Sequence, residues 1–329
     1  MPRATRDVIV VGASAGGLPA LRQLVSSFPA DFPASTFIVS HLSPRAESWL
    51  PDILAKSGPL PTIAPEDDTP IERGRVYVAP PDRHMLVEPG IIRLVRGPRE
   101  NRHRPAVDPL FRSAAWAYGP RAIGVVLSGY LDDGAAGLWA VKSCGGLAIV
   151  QDPTDAIQPQ MPQRAAMNID VDHILPVAEI GPLLVQLVSQ PVVISETFTR
   201  PAGLQAEIEF AKMDRDIASM GALGKLSPFT CPACRGALWE LEEGDNLRYR
   251  CHTGHAFSKD SLLAEQSTGI EDALYSALRA VEEKAAALRR LGDRHHGGPV
   301  KLAEGFQSRA HELEQTAEVL RSLLAGLAA

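Results

Sequence analysis

The chain of 329 residues, with 45% apolar and 22% charged side chains, has the composition of a globular protein of about two domains. Its 33 basic and 39 acidic residues give a net charge of −6, which argues against nucleic acid or an anionic membrane as the main partner. No apolar run is long enough to cross a bilayer, and the four cysteines do not resemble a secreted disulfide framework. We therefore expect a cytoplasmic protein without membrane insertion.

Short apolar runs alternate with longer helical segments through about residue 192, which predicts an α/β domain over residues 1–192. Apolar strands separated by helices are typical of a doubly wound, mostly parallel, Rossmann-like sheet buried on both faces. A β-hairpin of Met85–Val87 and Ile91–Val95 is predicted at or near the edge of this sheet. The predicted strands are Val8–Val11, Thr36–Ser40, Arg75–Ala79, Ala122–Leu127 and Leu147–Gln151. The predicted helices are Leu18–Phe28, Ala46–Lys56, Pro109–Ala117 and Ala135–Ser143.

The pattern changes after residue 192. Residues 193–225 have weak periodicity and are predicted to be a linker, and residues 226–266 hold three of the four cysteines. Residues 267–329 are predicted to form an α-helical hairpin, because two apolar stripes flank a Gly-Gly-Pro break. A narrow stripe on an isolated helix pair is poorly buried, so we expect a homodimer through these helices or a docked partner. The stripes are Ile270, Leu274, Leu278, Val281, Ala285, Leu288 and Leu291, and then Leu302, Phe306, Ala310, Leu313, Ala317 and Leu320.

Ser14 lies in a glycine-rich turn, residues 11–17, between the first strand and its helix. Such a turn presents a side chain above the carboxyl end of the sheet, beside free N–H groups that would suit an oxyanion. A phosphate-binding turn is the alternative, although the spacing is not GxGxxG and no P-loop lysine follows. Taken alone, the turn leaves a nucleophile and an anion site equally open.

Two further polar residues follow strand ends. His41 comes directly after the second strand, and Asp132 and Asp133 follow Ala122–Leu127. Parallel strands place these ends on one edge of a sheet. Each residue also has an ordinary interpretation, His41 as a loop histidine and either aspartate as a helix N-cap. Together they fit a relay in which His41 takes a proton from the serine hydroxyl and an aspartate orients the imidazole.

Residues of about 7–190 resemble the catalytic domain of the chemotaxis-type protein-glutamate methylesterases, the CheB family. The resemblance implies a triad of Ser14, His41 and Asp133, and so selects Asp133 over Asp132. The matching stretches, in the order of the family, are VGASAGG (11–17), SH (40–41), VYVAPPDRHMLV (76–87), PAVDPLFRSAA (105–115), LSGYLDDGAAGL (127–138), AIVQDP (148–153) and QMPQRA (160–165).

The resemblance implies hydrolysis of glutamate γ-methyl esters to glutamate and methanol, and in some members deamidation of glutamine. The expected partner is a methylated chemoreceptor or another methylated protein. In the implied mechanism the serine attacks the ester carbonyl, His41 acts as general base, and N–H groups of residues 14–17 bind the oxyanion. The competing hypotheses are a catalytically silent scaffold that binds partners through the C-terminal region, and a nucleotide-binding protein.

The chain departs from the family pattern in three places. Ala15 stands where many members have threonine, and Tyr130 and Leu131 alter a TGMG-type loop beside the site. The first catalytic strand begins at residue 8, so control by a receiver domain within this chain is not expected. Among the other polar residues, we expect structural or solvated roles for His84, for His103 and for the basic loop 96–104. Cys144 is expected to be a small buried hydrophobe.

The remaining cysteines follow the pattern CxxC…CxxxH, from Cys231 and Cys234 to Cys251 and a histidine. Two thiolates on one turn and a Cys/His pair on another fit a tetrahedral zinc ion, and β-like residues between them suggest a zinc-ribbon hairpin. The spacing leaves His252 and His255 open, and a resemblance to CxxC…RCxxGHxxS segments attached to some esterases of this family favours His255. Four protein ligands would make the zinc structural rather than catalytic.

Overall fold

The computed structural model describes residues 5–41, 47–192, 200–201, 203–214, 224–243, 246–294 and 300–327. The chain divides into two compact units, Met1–Leu262 and Leu263–Ala329. The first unit therefore contains most of the predicted cysteine module together with the predicted α/β domain. The boundaries at 192, 225 and 266 stay a prediction. None of the helices in the described ranges combines the length and the apolar character needed to cross a bilayer.

The α/β region contains six helices and ten strands among the described residues. Its elements are β1 (Val8–Ala13), α1 (Gly17–Ser26), β2 (Ser35–Ser40), α2 (Leu50–Ala55), β3 (Thr62–Ile63), β4 (Thr69–Pro70), β5 (Arg75–Val78), β6 (His84–Glu88), β7 (Ile91–Val95), α3 (Val107–Tyr118), β8 (Ala122–Val126), α4 (Ala135–Ser143), β9 (Leu147–Gln151), α5 (Gln160–Asn168), β10 (His173–Leu175) and α6 (Val177–Val188). The elements that follow are α7 (Leu204–Lys212), β11 (Lys225–Thr230), β12 (Ala237–Glu243), β13 (Asn246–Cys251), β14 (Ala256–Ser258), α8 (Lys259–Arg294) and α9 (Val300–Leu327).

Seven parallel strands form the central sheet, in the order β10-β9-β8-β1-β2-β5-β3. Side chains of β1 alternate between two cores, with Val8 and Val10 on one face and Ile9 and Val11 on the other. Burial on both faces explains why this strand is an unbroken apolar run in the sequence. The predicted fold class is confirmed, and the sheet is entirely parallel.

The predicted hairpin is present as β6 and β7, but it does not join the central sheet. It pairs with β4 in a separate three-stranded antiparallel sheet. Side chains of α3 hold this small sheet, because Ser113 Oγ accepts the Val87 N–H at 2.9 Å and the Tyr118 hydroxyl accepts the Gly90 N–H at 2.9 Å.

Two helices begin well away from their predicted starts. The predicted helix Ala46–Lys56 is shorter, Leu50–Ala55, and residue 46 lies outside the described residues. Helix α8 begins at Lys259, before the predicted start at 267. Its N-terminus is capped by Ser258, whose Oγ accepts the N–H of Ser261 at 3.0 Å, and serine is a favourable residue for this role.

The cysteine module is a four-stranded antiparallel sheet of β11 to β14, and the predicted hairpin is the pair β12–β13. In the second unit, α8 and α9 run antiparallel, as predicted. Ion pairs of 2.6 Å join Arg289 to Glu314 and Arg321 to Glu282, so the later of the two α8 residues faces the earlier of the two α9 residues.

Candidate active site

The three predicted catalytic residues meet at one edge of the central sheet. Ser14 follows β1, His41 follows β2 and Asp133 follows β8, three neighbouring parallel strands. The helix after β1 packs on one face of the sheet and the helix after β8 packs on the other. This divergence is the topological switch point at which open α/β sheets form their binding crevices.

The imidazole of His41 joins the other two side chains. Its Nδ1 lies 2.9 Å from Ser14 Oγ, and its Nε2 lies 2.7 Å from Asp133 Oδ2. An ionised carboxylate only accepts hydrogen bonds, so Nε2 carries the proton that it donates to Asp133. The lone pair of Nδ1 then faces the serine hydroxyl, which is the arrangement that a general base requires.

Asp133 is buried, and its carboxylate is held by several donors. Oδ2 also accepts the Val107 N–H at 2.7 Å, while Oδ1 accepts the side-chain amide of Asn101 at 2.9 Å and the Asp108 N–H at 3.2 Å. Burial opposes ionisation, but the hydrogen bonds from His41, Val107 and Asn101 hold the pKa of Asp133 well below its usual range. The carboxylate is therefore charged at neutral pH.

Neither Asp132 nor Asp133 caps the following helix with its side chain. The carboxylate of Asp108 performs that role, since its Oδ1 accepts the N–H groups of Gly134 at 3.0 Å and Gly137 at 2.7 Å.

Burial, and after it the charge of Asp133, raises the pKa of Asp108 to about 7. Burial likewise raises the pKa of Asp132 to about 6, against an opposing hydrogen bond from Ser258.

The glycine-rich turn offers fewer free donors than the sequence suggested. The Ser14 N–H donates to Ser128 O at 2.9 Å, and the Gly17 N–H donates to Ser14 O at 2.9 Å. Within the described ranges, the N–H groups of Ala15 and Gly16 donate to no backbone carbonyl. These two groups at the start of α1 are the candidates for an oxyanion hole.

Two glycines allow the close approach of chains around the serine. Gly16 has a φ of 71°, in the left-handed region, and a Cβ there would meet Ser128 Oγ at 2.8 Å. A Cβ on Gly129 would lie 2.0 Å from Met161 Sδ and 2.8 Å from Ser14 Cβ. Tyr130, which distinguishes this loop from the family pattern, is 52% exposed.

His103 was expected to be structural or solvated, and the structure places its ring against the imidazole of His41. The rings of His41 and His103 stack with centroids 3.6 Å apart and an interplanar angle of 7°. Burial, and next the proximity of His41, lowers the pKa of His103 to about 3, so this ring is neutral at physiological pH. His84 fits the structural expectation, since it is fully buried and its Nε2 donates to Pro98 O at 2.8 Å.

The basic loop 96–104 is not a solvated charge run. Glu100 and Asn101 within it are buried, and Arg96 and Arg104 both pair with Asp82, at 2.9 and 2.5 Å. Sequence reasoning missed Asn101 because a single asparagine in a polar stretch carries no signal of its own. The adjoining PAVD segment, which matches the esterase family, was the available indication that this region reaches the site.

The four predicted metal ligands lie together in the cysteine module. Their ligand atoms, from Cys231, Cys234, Cys251 and His255, are all within 4.8 Å of one another. Cys251 Sγ lies 3.6 Å from Cys234 Sγ and 3.6 Å from His255 Nδ1. Tetrahedral zinc with Zn–S bonds of about 2.3 Å requires ligand separations of about 3.8 Å, so the cluster has the size of a zinc site. His252 is exposed and lies outside it.

Cys144, the cysteine outside this cluster, is buried, as expected for a small hydrophobe. Burial raises the pKa of its thiol to about 11, so it stays protonated. A protonated, buried thiol is a poor nucleophile and a poor metal ligand.

Comparison with known proteins identifies the α/β region. The family described as CheB methylesterase matches residues 9–184. The chain belongs to the CheB methylesterase family. The catalytic domain of the CheB methylesterase of Thermotoga maritima superposes with a TM-score of 0.54 at 31% identity, covering 56% of this chain and 100% of that domain.

Curated relatives match over the same part of the chain. A putative protein-glutamate methylesterase/protein-glutamine glutaminase of Leptospira interrogans is 37% identical over 182 residues, which are 55% of this chain and 94% of that protein. A protein of the same type from Anaeromyxobacter dehalogenans is 39% identical, and the methylesterase FrzG of Myxococcus xanthus is 35% identical. The chain spans 54% of the length of each of these two, and the cysteine module and helical hairpin lie outside the family match.

The raised pKa of Asp132 predicts a measurable effect on stability. Because its pKa of about 6 exceeds the value of about 3.9 in an unfolded chain, its favourable contribution is complete below about pH 4 and is lost as the pH rises through 6. The free energy of unfolding of the wild type, minus that of Asp132→Asn, should fall by up to about 3 kcal/mol between pH 4 and 7. Denaturant titrations at several pH values measure this difference. Asp170→Asn, at an exposed position, is the control, and a pH-independent difference for Asp132→Asn would contradict the assignment.

Proposed function

We propose that this chain is a serine esterase that hydrolyses γ-methyl esters of glutamate residues in proteins, releasing glutamate and methanol. The observation that carries the proposal is the continuous hydrogen-bonded chain from Ser14 through His41 to Asp133 at the switch point of the sheet. Membership of the CheB methylesterase family supports the substrate class, since its relatives are named protein-glutamate methylesterases. The relatives from Leptospira interrogans and Anaeromyxobacter dehalogenans are also named protein-glutamine glutaminases, which supports glutamine deamidation at the same site.

In the proposed reaction, Ser14 Oγ attacks the ester carbonyl while its proton passes to Nδ1 of His41. The developing imidazolium is stabilised by the charged Asp133, and the oxyanion is bound by the N–H groups of Ala15 and Gly16. The imidazolium then protonates the departing methoxide, which leaves as methanol. A water molecule, deprotonated by His41, attacks the acyl-serine and releases the glutamate side chain.

The proposed substrate is a methylated chemoreceptor or another methylated protein, reached at the exposed side of the serine turn. The alternative of a catalytically silent scaffold is less well supported, because a scaffold does not require the side chains of Ser14, His41 and Asp133 to be joined by hydrogen bonds. We propose a cytoplasmic location, because free cysteines clustered at metal-ligand spacing are more typical of a reducing compartment than of an oxidising one.

Replacing the nucleophile provides the direct test. Ser14→Ala should lower kcat for methanol release from a methylated receptor by about 10⁴- to 10⁶-fold, because the acyl-enzyme cannot form. Release of methanol is measured by a coupled alcohol oxidase assay, and labelling by a fluorophosphonate reports the nucleophile independently. His41→Ala should prevent the labelling, whereas Ser26→Ala, at an exposed serine on α1, is the matched control. Full activity of Ser14→Ala would refute the proposal.

We further propose that Cys231, Cys234, Cys251 and His255 bind one structural zinc ion. The fit rests on three thiols and one imidazole nitrogen within 4.8 Å. Three thiolates and one imidazole satisfy the four positions of a structural zinc site, which leaves none for a substrate or water. The ion would contribute folding free energy to a small antiparallel sheet.

Metal analysis of the purified protein tests this proposal. We expect about one zinc ion per chain, and its loss from Cys234→Ala, because removing one of the four ligands leaves an incomplete structural site that binds zinc more weakly. Cys144→Ala is the matched control and should keep its zinc, since that cysteine is outside the cluster. A folded wild-type protein without stoichiometric zinc would overturn the assignment.

The helical hairpin supports a further proposal, a homodimer formed through α8 and α9. Small side chains, among them Ala285, Ala310 and Ala317, form its most buried positions, so the hairpin buries little apolar area by itself. Several large apolar side chains of the same unit are 53–60% exposed. They are Ile270, Tyr275, Val319, Leu323 and Leu327. Pairing two hairpins into a four-helix bundle would cover them.

The oligomeric state in solution tests the dimer. Light scattering during gel filtration should give twice the monomer mass for the wild type and the monomer mass for a Val319→Glu/Leu323→Glu variant, because buried charges would oppose the bundle. Ser322→Glu adds a charge to the same turn at an exposed polar position and should remain dimeric. A monomeric wild type at micromolar concentration would contradict the proposal.

A further inference from the structure

Asn101 lies between the esterase site and the cysteine module, and every polar atom of its side chain is used. Nδ2 donates to Asp133 Oδ1 at 2.9 Å and to Asp108 Oδ2 at 2.7 Å. Oδ1 accepts the N–H of Ser258 at 3.0 Å and the hydroxyl of Ser261 at 3.2 Å. The backbone N–H of Ser258 can only donate, so it fixes which end of the amide faces Asp133.

The backbone of the same loop is also paired with the cysteine module. The Asn101 N–H donates to Ala256 O at 2.8 Å, and the Ala256 N–H donates to Arg99 O at 3.3 Å. Ala256 directly follows His255, one of the four clustered ligands. The second ligand-bearing turn is thus continuous with the residues that hold Asn101.

A buried charge cluster reinforces this contact. Glu100 pairs with Arg112 of α3 and, at 3.0 Å, with Arg250 of β13. Arg250 in turn pairs with Glu207 of α7 at 2.6 Å and donates to Gly254 O at 2.7 Å, within the turn between Cys251 and His255. Breaking a buried pair leaves an uncompensated charge, so these contacts strongly favour one arrangement of the loop.

We propose that Asn101 is a positioning residue of the esterase and that the cysteine module holds it there, so that the module sets the orientation of Asp133 from outside the α/β region. The inference rests on the proposed function. Asp133 has no contact with the clustered ligands themselves; the connection runs from the ligand turn through Ala256, Ser258 and Ser261 to the amide of Asn101. The module therefore acts on the reaction without touching substrate.

The first test is Asn101→Asp. Aspartate has the shape of asparagine and tolerates the φ of 47° at this position. It replaces the Nδ2 donor with a carboxyl group beside those of Asp108 and Asp133. We expect kcat for methanol release and the rate of Ser14 labelling by a fluorophosphonate to fall together by about 10- to 100-fold. KM should stay within about twofold, because the residue orients the base rather than binding substrate. Gln190→Glu, the same change from amide to carboxylate at an exposed position, is the control.

Ser261→Ala is the second variant, because Asn101→Asp could destabilise the fold. It removes one hydrogen bond to Asn101 and adds no charge, so kcat and the labelling rate should fall by about 2- to 10-fold. Zinc content and melting temperature are measured for each variant to separate positioning from unfolding. Unchanged kcat and labelling in both folded variants would overturn the proposal.

The coupling to the module is tested in the full chain by hydrogen exchange. In Cys231→Ala, amides of residues 99–103 should lose protection by at least about tenfold together with those of 250–258, and Ser14 labelling should slow. Cys144→Ala is the matched control and should retain both. Loss of protection confined to the module, with normal labelling, would refute the coupling.

The outcomes separate this inference from the proposed function. If the wild-type protein is not labelled at Ser14 and releases no methanol, the proposed function fails. If the wild type is labelled and active while the Asn101 and Ser261 variants match it, only the positioning role fails.

Discussion

The arrangement of the site depends on keeping one buried carboxylate charged at the edge of the sheet. Asp133 lies in a position where burial alone would favour its neutral form, and only a set of directed donors reverses that preference. Those donors come from His41 after β2, from the backbone at the start of α3 and from the side chain of Asn101. In the proposed mechanism, the orientation of His41, and with it the reactivity of Ser14, therefore depends on three separate segments of the chain.

Much of the fold and part of the site could be predicted from the sequence. The apolar run Val8–Val11 and the turn at Ser14 are local signals, because both the strand and the glycine-rich turn depend on neighbouring residues. Asp133 was distinguished from Asp132 only through the family resemblance, since both follow the same strand. The stacking of His103 on His41 could not be predicted from the sequence. It depends on the path of the loop 96–104, and hydrophobic periodicity contains no information about the path of a loop.

The surface against which the cysteine module packs could not be predicted from the sequence either. Its ligand spacing predicted a zinc cluster, but spacing within a module contains no information about what the module packs against. The decisive contacts, from Ser258 to Asn101 and from Arg250 to Glu100, join residues about 150 positions apart, at 157 and 150. Glu100 and Asn101 of the charged loop are buried where the loop contacts the module.

The shared charge cluster bears on how this protein could have acquired its C-terminal region. A fragment ending at residue 192 would lose Glu207 and Arg250, and Glu100 would keep Arg112 as its nearest counter-ion in an opened cavity. Such a fragment would expose the surface around Glu100 that Glu207 and Arg250 cover in the full chain. The esterase region and its extension are therefore expected to have accumulated changes jointly, and grafting this module onto a different relative would require matching acidic and basic partners on both sides.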